Sequence, residues 1–184
     1  MPKDFVLTVM SLDRVGIVAG VAEAVTGLGG NIDAISQTVM QGYFTIIVTV
    51  RFDGDLDPAA LRDAVRASGA PGELEVSVKE RAVLEAPGVV PDADRFILSI
   101  TGPDQRGIIH RICAYLVSRG INIEDLYAYA QDSKFLLIAQ LQVPPGLEVE
   151  RLQMDVASLW PGEQMRVSLQ HENIFLATNQ VDFR

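Results

Sequence analysis

Apolar and polar residues change period along this chain, and the changes recur. Phe5 to Ser11 alternates apolar with small or polar residues, which predicts a half-buried strand. From Gly16 the apolar positions Ile17, Val21, Val25 and Leu28 recur every three or four residues, one face of a helix, and Gly29 is its expected stop. Asn31–Met40 and Tyr43–Phe52 are β-rich runs separated by Gln41-Gly42, a hairpin signal. Pro58 opens a second helix with Leu61 and Val65 facing inward, and Leu74–Lys79 closes the unit as a strand. The same order returns at Phe96–Gly102, Gly107–Arg119, Asn122–Gln131, Lys134–Val143, Leu147–Leu159 and Met165–His171.

The recurrence is a duplication. Laying Phe5 on Phe96, an offset of 91 residues, gives a register that runs without a gap as far as Glu80 on His171. About one pair in five is identical, including Asp13/Asp104, Gly16/Gly107, Ile17/Ile108, Gly29/Gly120, Asn31/Asn122 and Ile32/Ile123, while the apolar pattern matches almost throughout. Each copy reads βαββαβ, the ferredoxin-like order, so the expected fold is α+β: two tandem domains with antiparallel sheets. Residues 1–81 form the first domain, 82–94 a linker, and 95–184 the second domain with a C-terminal extension. The linker AVLEAPGVVPDAD has two prolines and a glycine, and its Val83-Leu84 and Val89-Val90 pairs suggest that parts of it pack down.

Charge narrows the function classes. Fifteen basic residues are scattered among 24 acidic ones, for a net charge of −9. Nucleic-acid binding draws most of its affinity from phosphate neutralisation, so direct nucleic-acid contact is not expected, nor is docking to an anionic membrane. No apolar run is long enough to span a bilayer, and the N-terminus lacks a secretory pattern, which makes the cytoplasm the default location. Cys113 lies among Ile109, Ile112 and Leu116 and reads as a buried structural thiol.

Catalytic constellations are missing from the pattern. There is no phosphate loop, nucleophile elbow or Cys-x-x-Cys pair, so neither a catalytic residue nor a cofactor is assigned and the chain is not read as an enzyme. His110 and His171 fall at unrelated repeat positions without partners at metal spacing, so no metal site is assigned. Asp53, Asp55 and Asp57 in DGDLDP superficially resemble a calcium loop, but the required glycine and distal glutamate are misplaced and a solvated turn is expected. Trp160, after the last helix of the second copy, is expected to pack on the core.

Two patches recur in both copies. Asp-x-x-Gly-Ile, at Asp13–Ile17 and Asp104–Ile108, joins the first strand to the first helix; Gly-x-Asn-Ile, at Gly29–Ile32 and Gly120–Ile123, joins that helix to the second strand. Helix-start N–H groups favour a carboxylate, an aspartate pairs with an ammonium, and an asparagine amide both donates and accepts, a set that suits a free amino acid. Structural readings stand beside this one. The aspartates cap the helices or meet a ligand, the glycines Gly16 and Gly107 allow close helix–strand packing, and the asparagines serve turns or a ligand. The helix lies between the patches, so convergence is expected across an interface rather than within one copy.

DRVGIVAGVAEAVTGLGGNIDAISQTV resembles the ACT domain, a βαββαβ module that regulates many amino-acid-metabolising enzymes. The tandem arrangement without a catalytic domain is similar to the glycine cleavage system transcriptional repressor group, and the first copy to short stand-alone ACT proteins. The resemblance implies a ligand site between ACT modules, contributed by Asp13, Gly16, Ile17, Asn31 and Ile32 and by Asp104, Gly107, Ile108, Asn122 and Ile123. Many members carry proline directly before the glycine; here the positions are Val15 and Arg106, and Arg106 offers a carboxylate partner that the first copy lacks. The expected function is non-catalytic: an amino acid bound at module interfaces biases association with a protein partner, in control of amino-acid metabolism or its transcription, with homo-oligomers anticipated. The alternative is a structural oligomerisation module that binds no ligand.

Overall fold

The computed structural model describes residues 2–81, 93–161 and 164–179, with side chains as far as 175 in the last stretch. The chain divides into two compact units, Met1–Glu85 and Ala86–Arg184. Residues 82–92 of the expected linker lie outside the described residues.

In the first unit, β1 (Lys3–Leu12) sends Phe5, Leu7 and Val9 inward and the intervening residues to the other face. Helix α1 (Ile17–Gly27) buries Ile17, Val21 and Val25, and strand β2 (Gly30–Met40) runs along the sheet edge. Strand β3 (Tyr43–Phe52) buries every second residue from Phe44 to Phe52. Helix α2 (Pro58–Ala67) buries Leu61 and Val65, and β4 (Glu75–Glu80) closes the unit. The strands pair antiparallel in the order β2-β3-β1-β4, and both helices cover one face around a single apolar cluster. That is the expected ferredoxin-like sheet. Fully burying a Leu or Phe side chain is worth about 1.5–3 kcal/mol, so this alternation selects the register.

The second unit repeats the plan. It comprises β5 (Asp94–Pro103), α3 (Ile108–Ser118), β6 (Asn122–Gln131), β7 (Lys134–Val143), α4 (Val149–Ala157) and β8 (Arg166–His171), in the sheet order β6-β7-β5-β8. Trp160 is buried in its core, and Cys113 packs half-buried against it. Helix α4 is shorter at both ends than the periodicity predicts. One element was not anticipated: α5 (Glu172–Asn179) follows β8 directly and packs against β5 and β8. Its first residue reaches the sheet face opposite α3 and α4, because Gln140, which alternates outward between the buried Ala139 and Leu141, donates to Glu172 Oε1 at 2.8 Å.

Both hairpins turn tightly. Gln41 and Gly42 have φ of 51° and 84°, and Asp132 and Ser133 have 51° and 61°, the paired left-handed residues that match the twist of the flanking strands.

Candidate functional site

The first recurrent patch is a loop stitched to a hairpin tip. The Asp13 N–H donates to the Gly42 carbonyl at 2.9 Å, and the Asp104 N–H to the Ser133 carbonyl at 2.9 Å. Both carboxylates are exposed, and neither caps a helix. The N-caps are Gly16 and Gly107, without a side-chain hydrogen bond. Those glycines have φ of 94° and 85°, and a Cβ at Gly16 would approach only the Arg14 guanidinium, at 3.8 Å, while at Gly107 it would meet nothing within 4 Å. Close helix–strand packing, the sequence-based preference for both, is therefore not their role. They supply a left-handed residue that turns the chain into the helix. Ile17 and Ile108 follow with 3% and 2% of their surface exposed, so their side chains belong to the cores and only backbone N–H groups face outward at the helix starts.

The two loops are held differently. Arg14 grips Glu73, with Nε close to Oε1 and Nη2 to Oε2 at 3.1 Å, while the Ala70 N–H donates to Glu73 Oε2 at 2.6 Å. The guanidinium foremost, and the Ala70 N–H after it, hold the Glu73 carboxyl down at about 2. In the second copy the corresponding positions are Gln105 and Gln164, and Trp160, 2% exposed, stands where the first has Gly69. A buried indole thus fills the place of a glycine. Val15 is 98% exposed, and Arg106 is exposed and makes no ion pair among the described residues.

The second patch lies at the other end of the sheet. Gly29 and Gly120, with φ of 78° and 67°, turn the chain out of the helix. Asn31 and Asn122 then lie within strands β2 and β6 rather than in turns, opposite Arg51 and Gln142. Ile32 and Ile123 are half-buried and pack on their cores. Each strand bulges one residue further on, at Asp33 and at Glu124.

The bulged acid is ion-paired in both units, by arginines from different strands. Arg51 on β3 reaches Asp33 Oδ2 at 3.0 Å and Asp4 Oδ1 at 3.1 Å, and Asn31 Nδ2 donates to Asp33 Oδ1 at 3.1 Å. In the second unit Arg95, at the repeat position of Asp4, clamps Glu124 through Nε at 2.9 Å and Nη2 at 3.1 Å. Gln142 replaces Arg51; it is 8% exposed, donates to Glu124 and accepts from Asn122 Nδ2 at 3.4 Å. Sequence reasoning missed this acid–arginine pair, since the transposed arginine looks like drift at two positions.

Within one unit the patches do not meet. Asp4 lies beside Arg51, and Asp13 follows nine residues later on the extended chain, about 30 Å at strand rise. Two open depressions lie elsewhere, one around Met10 and Arg66 beside β4, another between α3 and α4 around Arg119 and Asp155. The DGDLDP turn is more than solvated: Asp57 Oδ1 caps α2 by accepting from the Ala59 N–H at 2.9 Å, and Asp55 pairs with Lys3. His171 packs edge-on against Phe96, with centroids 5.2 Å apart.

The ACT domain family matches this chain twice, at residues 3–79 and 94–170. The chain belongs to the ACT-domain family. The matches coincide with the two βαββαβ units and leave α5 outside. A UPF0237 protein of Streptococcus pneumoniae is 40% identical over 81 residues, which is 44% of this chain and 92% of that protein. Another, from Methanosarcina acetivorans, is 40% identical over 80 residues, 43% of this chain and 87% of that protein. Among solved structures, an unknown protein from Galdieria sulphuraria has a TM-score of 0.72 at 22% identity and covers 93% of this chain and 99% of its own. A protein provisionally described as a glycine cleavage system transcriptional repressor has a TM-score of 0.66 at 18% identity, with the same coverage. Both share the fold of this ACT pair. No helix among the described residues is long and apolar enough to cross a membrane.

Proposed function

We propose that this tandem ACT protein is a non-catalytic regulator that binds a free amino acid where the helix-entry loop of one ACT module meets the second-strand start of a neighbouring module. The observation that carries this reading is the recurrence of both patches with their exceptional backbone intact. Each copy has a left-handed glycine before the helix, an exposed aspartate tied to the hairpin tip, and an asparagine beside a bulged acid–arginine pair. The roughly 30 Å between patches within a unit excludes one amino acid from touching both, so a site that uses both takes them from two modules. Asp13 or Asp104 would pair with the ammonium, the helix-start N–H groups with the carboxylate, and the asparagine amide with either end.

The sites are unequal on this reading. Arg14 is engaged with Glu73, whereas Arg106 makes no ion pair among the described residues and offers a cation beside the second loop to a carboxylate. The response passes through a cytoplasmic protein partner, in control of amino-acid metabolism or its transcription, and without direct contact to DNA, because the net charge of −9 opposes it. Regulation, of transcription, is also the role ascribed to the structural neighbour described as a glycine cleavage system repressor.

Thermal denaturation in the presence of each of the twenty amino acids tests the proposal. A ligand at a hundred times its dissociation constant adds about 2.7 kcal/mol of stability. The Asn31→Ala/Asn122→Ala protein should lose that response while keeping its fold. No response to any amino acid at millimolar concentration would leave the structural oligomerisation reading in its place.

A further inference from the structure

The strand-start patches share a polarity that their recurrence alone does not require. Asn31, Arg51 and Asp4 form one cross-strand row on the sheet face away from the helices, because their neighbours Ile32, Val50 and Phe5 pack on the core. The bulge at Asp33 brings its carboxylate against this row, where Arg51 Nη2 holds Oδ2 at 3.0 Å. Asn31 Nδ2 donates to the other oxygen, Oδ1, at 3.1 Å and to the Ile32 carbonyl at 3.4 Å. An arginine-paired carboxylate and a backbone carbonyl are both acceptors, so the amide atom turned towards them is nitrogen and the amide oxygen is turned away. Asn31 Oδ1 accepts no hydrogen bond among the described residues. The second unit reaches the same polarity by a longer path. Glu124, clamped by Arg95, accepts from Gln142 Nε2, which turns Gln142 Oε1 towards Asn122, whose Nδ2 donates to it at 3.4 Å. The arginine and the spacer differ between the units; the direction of the asparagine amide does not.

We propose that Asp33, and Glu124 acting through Gln142, are positioning residues that turn the asparagine amide oxygen towards a bound amino acid. This patch then receives the ammonium, and the helix-start N–H groups of the neighbouring module receive the carboxylate. The inference rests on the amino-acid reading above and assigns one end of the ligand to each patch. An amide free to rotate by half a turn offers nitrogen or oxygen alike, and would accommodate a 2-oxo acid as well as an amino acid. An amide locked by an acid presents only an acceptor, which an ammonium satisfies and the oxo oxygen of a 2-oxo acid does not. An ammonium carries three donors, so it serves Asn31 Oδ1 and a loop aspartate together. The local charge agrees, since Arg51 stands between two carboxylates, Asp4 and Asp33, and leaves the first patch negative. The arginine matters through the acid it holds, and it therefore tolerates transposition from Arg51 on β3 to Arg95 on β5.

The test uses the full chain and two readouts, the Asn31 side-chain amide signals in nitrogen-15 NMR without ligand, and calorimetric titration. The probes are the twenty amino acids and, for each one bound, the 2-oxo acid with the same side chain. One Asn31 amide proton should lie downfield of the free-amide position and return towards it in Asp33→Asn. Asp33→Asn/Glu124→Gln should bind amino acids roughly three- to tenfold more weakly and discriminate less against 2-oxo acids, at an unchanged melting temperature. Asp4→Arg/Arg51→Gln, which keeps Asp33 paired, should bind as wild type does. An Asn31 signal that Asp33→Asn leaves in place overturns the inference whether or not a ligand binds, and needs only the single variant to fold. Amino-acid affinity and discrimination that the double acid variant retains overturn the inference alone and leave the amino-acid reading standing. No amino acid bound by wild type, with the amide signals as expected, overturns the amino-acid reading and the assignment of ends with it.

Discussion

The two units solve one architecture with different chemistry, and the pattern of what differs separates fold from function. Their buried positions correspond nearly one for one, yet the sizes trade places. At Gly30 a Cβ would sit 2.4 Å from the Phe52 ring, so the small residue makes room for the large one across the strand pair. The second unit has Ile121 and Val143 at those positions, both buried. The helices are joined differently too. In the first unit α1 and α2 approach where Gly20 faces Ser68, a Cβ there standing 3.1 Å from the serine. In the second, the Tyr115 hydroxyl donates to Asp155 Oδ2 at 3.0 Å and Arg119 reaches the same oxygen at 2.8 Å. Volume and charge were rearranged freely after duplication. The left-handed glycines before and after the first helix, the loop aspartate and the bulge at the strand start were not. Packing has many solutions for one backbone; a turn that demands positive φ has few.

Exchanging the small and large core residues should break the comparison most strongly. Gly30→Ile alone should destabilise the first unit by about 1–3 kcal/mol through overpacking, while Gly30→Ile/Phe52→Val should recover most of the loss, as neighbours sharing one space couple. Urea unfolding followed by circular dichroism measures this, and the single tryptophan, Trp160, reports the second unit separately. Equal, additive losses would mean that the two positions do not compensate each other.

Tyr115→Phe should cost the second unit about 0.5–1.5 kcal/mol, read as an earlier Trp160 fluorescence transition. Burial first, and the Asp155 bond after it, raise the Tyr115 hydroxyl pKa, so the phenol remains a donor well above neutral pH. The position is Ala24 in the first unit, which has no such bond to lose.

Acid should distinguish the loops. Glu73 titrates at about 2 in the folded protein, below the ordinary carboxyl value of 4.5, so its contribution is fully present above pH 4.5 and disappears as pH falls towards 2. Wild type should therefore exceed Glu73→Gln in stability at pH 7, with the gap closing across that window. The second unit has Gln164 at the same position and should show no such step from this site. The smallest effect is expected from rewriting the first strand-start pair in the manner of the second. Asp4→Arg/Arg51→Gln should change stability by no more than about 0.2–1 kcal/mol, because an exposed ion pair is exchanged for another to Asp33. A larger loss would give the present arginine a structural role.

Most of the fold was legible because two periods, one for strands and one for helices, each repeat after 91 residues. Helix α5 was not. Its repeat position in the first copy, residues 81–88, falls almost wholly outside the described residues, and its short, mixed sequence ENIFLATN carries no clear apolar stripe. Gly16 and Gly107 could be located from sequence but their reason could not, because a glycine that allows close packing and one that adopts positive φ look alike without dihedral angles. The clasp between Arg14 and Glu73 joins residues 59 apart, and that between Arg51 and Asp4 residues 47 apart; pattern within a window cannot see either. The candidate site was legible as two recurring patches. That they lie at opposite ends of each sheet follows from topology, and the neighbouring bulge with its ion pair appears only once strand register is known.

The central claim, that the recurrent patches form amino-acid sites of unequal character, meets its most direct test in calorimetric titration of wild type, Asp13→Ala and Asp104→Ala with each of the twenty amino acids. The account predicts saturable binding of at least one of them to wild type, and a different loss of sites or affinity in each single variant. No binding to wild type, or binding that both variants retain unchanged, would contradict it.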